Sequence, residues 1–169
     1  MDSRRRCFVL IVASLLLAGG SSSAFAQEDV ARETLRGLAG VHVSIDLSVS
    51  SEIDAKSLSG ELQSDVESKL GSMGIKILSK DALYSAKGGP LLMVRVDLRK
   101  DEKKYVAYIM IQLYQHVFLI QGPKDVTYPA VTWSTGGTQA VLYALEDLRG
   151  IVLEEADRFA QAFRSANPG

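Results

Sequence analysis

From Tyr105 to Ile120 the chain runs without Gly or Pro and alternates with a period of two. Ala107, Ile109, Ile111, Leu113, Val117 and Leu119 fall on one side; Tyr108, Met110, Gln112, Tyr114, His116 and Phe118 fall on the other. Successive strand side chains point to opposite faces, so this pattern predicts a central strand with a core face and an amphipathic outer face. The same period recurs at Val41, Val43, Ile45, Leu47 and Val49, separated by His42, Ser44, Asp46 and Ser48. It recurs again at Leu92, Val94, Val96 and Leu98, separated by Met93, Arg95, Asp97 and Arg99. Asp101 to Lys104 turns this strand back into the long one, which predicts a hairpin at the centre of a sheet. Ile75 to Leu78 reads as a short strand and Val126 to Ser134 as the last, with Pro129 either placing the last at an edge or breaking it there.

Elsewhere the period is that of a helix. Leu58, Leu62, Val66 and Leu70 recur every four residues, with Ser57 as the expected N-cap and Gly71 and Gly74 at the exit. Val141, Leu145, Leu148, Val152, Ala156, Phe159 and Phe163 form a second stripe, with Thr135-Gly136-Gly137-Thr138 as a flexible lead into it. Glu146 and Asp147 near its start and Arg158 and Arg164 near its end complement the helix dipole, and Glu154 to Arg158 adds an i,i+4 pair. Glu28 to Leu38 reads as a short helix closed by Gly40, and Ser79 to Pro90 as a surface loop. The sum is an α+β domain, with two main helices packed on one face of a four- or five-stranded, mostly antiparallel sheet.

The first 26 residues stand apart from that domain. Arg4, Arg5 and Arg6 form a positive n-region, Phe8 to Ala18 an apolar h-region, and Ala24-Phe25-Ala26 a small-x-small cleavage site before Gln27. These are the parts of a secretory signal in order, and the apolar run is shorter than a membrane span. The expectation is a signal peptide over 1–26 and one domain over 27–169, periplasmic or secreted, with no stable membrane insertion after cleavage. Arg5-Arg6-Cys7-Phe8-Val9 resembles the core of a twin-arginine signal, so both export routes stay open. Cleavage removes three of the 19 basic residues and Asp2 of the 20 acidic ones, leaving 16 and 19 and a net charge of −3. That balance argues against a nucleic-acid partner. Cleavage also removes Cys7, the only cysteine, which precedes the h-region and so cannot be the lipidated first residue of a lipoprotein.

Few groups remain for chemistry. His42 and His116 fall on outward strand positions, where Asp46 or Asp97 could complete a metal site, but the spacing has no metal-binding signature. There is no Gly-x-Ser-x-Gly elbow, and Gly88-Gly89-Pro90 leads into a strand where a phosphate loop would open a helix. Glu154-Glu155 and Asp101-Glu102 read as solvated charges. No catalytic, metal or cofactor site is therefore expected, and the chain reads as a non-enzyme. What remains is the outer sheet face, where Arg95, Arg99, Tyr108, Met110, Tyr114, His116 and Phe118 form a candidate partner-binding surface. Tyr, Met and Arg are enriched at interfaces. Alternatively, the N-terminal helix or the Ser79 to Pro90 loop covers this face.

Leu35-Arg36-Gly37-Leu38 leading into Val41-His42-Val43, the Gln112 to Val117 strand, Thr132-Trp133-Ser134, and Asp157-Arg158-Phe159 through Asn167-Pro168 carry a resemblance. Together they resemble a group of small exported bacterial proteins of unknown function. At the level of fold, the element order is similar to the lipopolysaccharide-assembly lipoprotein, the N-terminal domain of the Tol translocation protein and the curli secretion lipoprotein. This likeness implies a binding or assembly module of the cell envelope, with an envelope protein or component as partner. The chain departs from the lipoproteins in lacking a lipidation cysteine after the signal. A carrier of a lipid or small apolar ligand is the alternative, and a small hydrolase the third reading.

Overall fold

A computed structural model describes residues 30–50 and 53–168. The expected signal peptide, its cleavage site and Gln27 lie outside them. The five strands are β1 (His42–Val49), β2 (Leu91–Asp101), β3 (Lys104–Val117), β4 (Tyr128–Ser134) and β5 (Thr138–Leu142). The helices are α1 (Ala55–Ser72), α2 (Lys80–Ser85) and α3 (Asp147–Ala166). β1 runs parallel to β2, and β2 antiparallel to β3, so the sheet is α+β in character and mostly antiparallel.

β4 and β5 share the far edge of β3. β4 pairs with Gln112–Val117 and β5 with Tyr105–Ile109, so together they make one interrupted edge strand. The expected flexible lead at 135–138 is instead the interruption itself, and Thr138 opens a strand. Thr135 spans the gap, its amide donating to the Ile111 carbonyl at 3.0 Å while its Oγ1 accepts from the Ile111 amide at 3.1 Å. Val141 therefore lies on β5, 55% exposed, and not on the core stripe of the last helix, which begins six residues later. A second irregularity sits at Thr132, where the register passes from Leu113↔Trp133 to Tyr114↔Val131. Pro129 lies on this edge, where its missing N–H leaves no ladder bond unmade.

The inner face is dry. Val94, Val96, Ile109, Ile111 and Leu113 are fully buried against Leu62, Val66 and Leu70 of α1 and Val152, Ala156 and Phe159 of α3. Trp133 meets Phe159 edge-to-face at 5.1 Å, an arrangement the ring quadrupoles favour. α1 is capped by Asp54, whose Oδ1 accepts from the amides of Lys56 and Ser57; Ser57 is thus inside the helix and not its cap. Among residues 79–90 a helical turn forms, because Ser79 Oγ accepts from the Ala82 amide at 3.2 Å and starts α2. Ile75 to Leu78 makes one parallel bridge, Val41↔Ile77, where a fuller strand was expected.

Before β1, residues 30–33 are helical and then give way to turns. Leu35 enters the same buried cluster as Phe159 and Phe163. Asn167, just after α3, holds the segment, accepting from the Gly37 amide at 2.7 Å and donating to the Leu35 carbonyl at 2.9 Å. No helix among the described residues is long and apolar enough to cross a membrane.

Candidate functional site

With α1 and α3 on the inner side, the even-numbered positions of β3 face away from both helices. The register sets them in rows across the sheet: Asp46, Arg95 and Met110 in one, Ser48, Asp97, Tyr108 and Gln139 in the next. On the other side of the Met110 row come Ser44, Met93, Gln112 and Ser134, and beyond them His42, Leu91, Tyr114 and Val131. Tyr108, Met110 and Tyr114 are each half-buried by their neighbours alone. The Tyr108 hydroxyl lies 3.6 Å from Met110 Sδ, and the Tyr114 hydroxyl donates to Gln112 Oε1 at 3.3 Å.

Arg95 is anchored by the parallel neighbour strand. Its Nε donates to Asp46 Oδ2 at 2.9 Å, and this bond and charge raise the guanidinium pKa further above its ordinary value. Both side chains are more than two-fifths exposed, so the pair positions the guanidinium more than it stabilises the fold. Tyr108 is set by a different device. A Cβ on Gly137 would stand 2.3 Å from the Tyr108 hydroxyl, so the ring rests on bare backbone where the edge strand is broken.

The candidate residues divide into four places. Arg95, Tyr108, Met110 and Tyr114 share the middle of the face. Arg99 lies toward the turn end, opposite Val106, and His116 toward the other end, its ring against Gly89. Phe118 lies beyond the end of β3, 61% exposed in the β3–β4 connection. His42 donates through Nδ1–H to the Leu78 carbonyl, 2.8 Å away, and among the described residues no group of three His, Cys, Asp or Glu is placed to hold a metal.

Of the two segments that could have covered the face, the N-terminal one does not, because Leu35 and Asn167 hold it in the helical layer. The 79–90 segment borders the sheet at its His42 and His116 end, where the His116 amide donates to the Gly88 carbonyl at 2.7 Å. Asp46 as the partner of Arg95 was missed in the sequence because it requires the parallel β1–β2 pairing. The Tyr108–Gly137 contact is not legible in the sequence, because the glycine pair reads as a flexible lead and Thr138 to Leu142 alternates only in its burial, not in residue type.

A surface groove of about 610 Å³ lies elsewhere, along the exposed side of α1 between Asp54 and Asp65, and is lined by Arg149. Arg149 forks onto Asp65 at 2.7 and 2.8 Å, which raises its pKa and satisfies the groove's main charges internally.

No family model matches the chain, and no curated protein matches it. Two solved structures with similar folds are both PelC dodecamers from Paraburkholderia phytofirmans. One, of a variant, is 12% identical with a TM-score of 0.45, covering 76% of this chain and 90% of that one. The other is 15% identical with a TM-score of 0.42, covering 74% and 86%.

Proposed function

We propose that this chain is an exported, non-catalytic binding or assembly module of the bacterial cell envelope, and that it engages a partner protein or envelope component through its outer sheet face. One-sided packing is the observation that supports this reading. Both long helices and the N-terminal segment lie on the inner side, while Tyr108, Met110 and Tyr114 occupy the middle of the opposite face beside the pinned guanidinium of Arg95. Aromatic, thioether and guanidinium groups are enriched at interfaces, and an uncovered patch of them is a binding feature. A carrier holding its ligand between sheet and helices would have to open a layer filled by Leu62, Val66, Ile109, Ile111 and Phe159. A hydrolase would show itself by an activity lost in His42→Ala or His116→Ala.

The test is a pull-down from the exporting host followed by affinity and melting measurements. Tyr114→Ala and Arg95→Ala should leave the melt close to wild type and weaken binding, about thirtyfold where an aromatic anchor contributes about 2 kcal/mol. Ile111→Ala, deleting a fully buried side chain, should instead lower the melt. Unchanged affinity with an unchanged melt in both outer-face variants would sink the reading.

A further inference from the structure

Burial along β3 stops at Leu113, yet the β3–β4 hairpin runs on well past it. In the stretch beyond, Phe118 is 61%, Leu119 52% and Ile120 103% exposed, and Val126 and Tyr128 add 38% and 37% on the returning arm. Three consecutive side chains cannot all point one way, so apolar surface wraps this tip. The backbone under it is already ordered: the Gly122 amide donates to the Leu119 carbonyl at 3.0 Å, and the Val126 amide to the Pro123 carbonyl at 3.3 Å. Gly122 leaves room for Leu119 to lie against the turn, since a Cβ there would stand 3.2 Å from Leu119 Cβ. The described core does not use these residues, and a solvent-facing hairpin does not require them.

We propose that the β3–β4 tip docks reversibly into the interfacial layer of a lipid bilayer, with Phe118, Leu119 and Ile120 entering the acyl boundary. A protein groove receives one side of a ribbon, whereas apolar surface that wraps a convex projection matches a medium that is apolar in every direction. Phe118 and Tyr128 flank the tip, as aromatic rings do at the membrane–water boundary. Lys124 and Asp125 cancel in charge, so the contact is hydrophobic and not electrostatic. A few side chains give weak, reversible binding of the order of a single acyl anchor. This surface is separate from the outer face proposed above, and either can fail without the other.

The test uses the exported protein, which loses Cys7 with the signal, carrying Ile120→Cys and labelled at that position with the environment-sensitive fluorophore NBD. Vesicles of phosphatidylethanolamine with phosphatidylglycerol, and of neutral phosphatidylcholine, should both shift the emission to the blue, with little dependence on salt. The same label at Tyr143→Cys, a position 82% exposed and off the hairpin, should not shift. Leu119→Ser with Ile120→Ser should melt like the parent and lose at least about a hundredfold in vesicle partitioning, because it removes two of the three apolar side chains at the tip. No shift on either vesicle, equal shifts at Tyr143, or partitioning retained by the double variant would overturn the proposal. So would a shift that grows with protein concentration without lipid, which would assign the tip to a second copy of the chain.

Discussion

The Thr138 hydroxyl donates to the buried carboxylate of Glu155 over 2.5 Å and so ties the edge strand β5 to α3. Glu155 is 1% exposed; Arg158 reaches the same oxygen at 3.3 Å, and Oε2 has no partner among the described residues. Removing the donor from a buried charged acceptor costs about 1.5–3 kcal/mol. Thr138→Val should lower stability in urea unfolding by that order, and Arg158→Ala should also destabilise, unlike an ordinary surface arginine. Thr138→Val combined with Glu155→Met should recover most of the loss, because an apolar replacement removes the carboxylate's desolvation cost. A single Thr138→Val variant as stable as wild type would show that the tie is idle.

Two glycines should respond oppositely to alanine. Gly137 has φ +88° and the Tyr108 hydroxyl 2.3 Å from where a Cβ would stand, while Gly150 lies within α3 with nothing within 4 Å. Gly137→Ala should cost about 1–3 kcal/mol, from a strained left-handed backbone and a displaced ring. In a Tyr108→Ala background the cost should shrink to the backbone part and not vanish. Gly150→Ala should stabilise by about 0.5–1 kcal/mol through helix propensity alone. Thermal unfolding of wild type and the four variants measures all of this, and additivity at 108 and 137 would refute the contact.

Acid should loosen the two-helix layer. Asp157 on α3 bonds Lys69 on α1 at 2.7 Å and also accepts from Gln161, and these bonds, Lys69 first, hold its carboxyl below the ordinary aspartate range. A lowered folded-state pKa means that the stabilisation is complete above the unfolded value, near pH 4, and is lost as pH falls through the folded one. Melting temperatures recorded from pH 6 down to about pH 2 should therefore fall less steeply below pH 4 in Lys69→Met than in wild type. Parallel curves would remove Asp157 from the acid response.

The sequence by itself determined what a period can determine: which residues of β1, β2 and β3 face inward, the α1 stripe, and the α3 stripe from Leu148 onward. Ala107, Ile109, Ile111 and Leu113, and Leu58, Leu62, Val66 and Leu70, are buried as their spacing requires, because alternation and four-residue steps are properties of the local backbone. Tyr108, Met110 and Tyr114 as an outward set were legible for the same reason. Tertiary structure alone decided which strand lies beside which. Parallel pairing of β1 with β2 gives Arg95 its Asp46, and the broken edge strand turns Gly137 into a seat for Tyr108 and Thr138 into a partner for Glu155. A glycine pair followed by a short run without a period of its own reads as a lead into the next helix until an edge of β3 is available to pair with it. The exposed Phe118–Ile120 tip was hidden by its own periodicity: Leu119 carries the core pattern of β3, but the helical layer ends before reaching it, and only the reach of a neighbouring element decides whether an apolar position is buried.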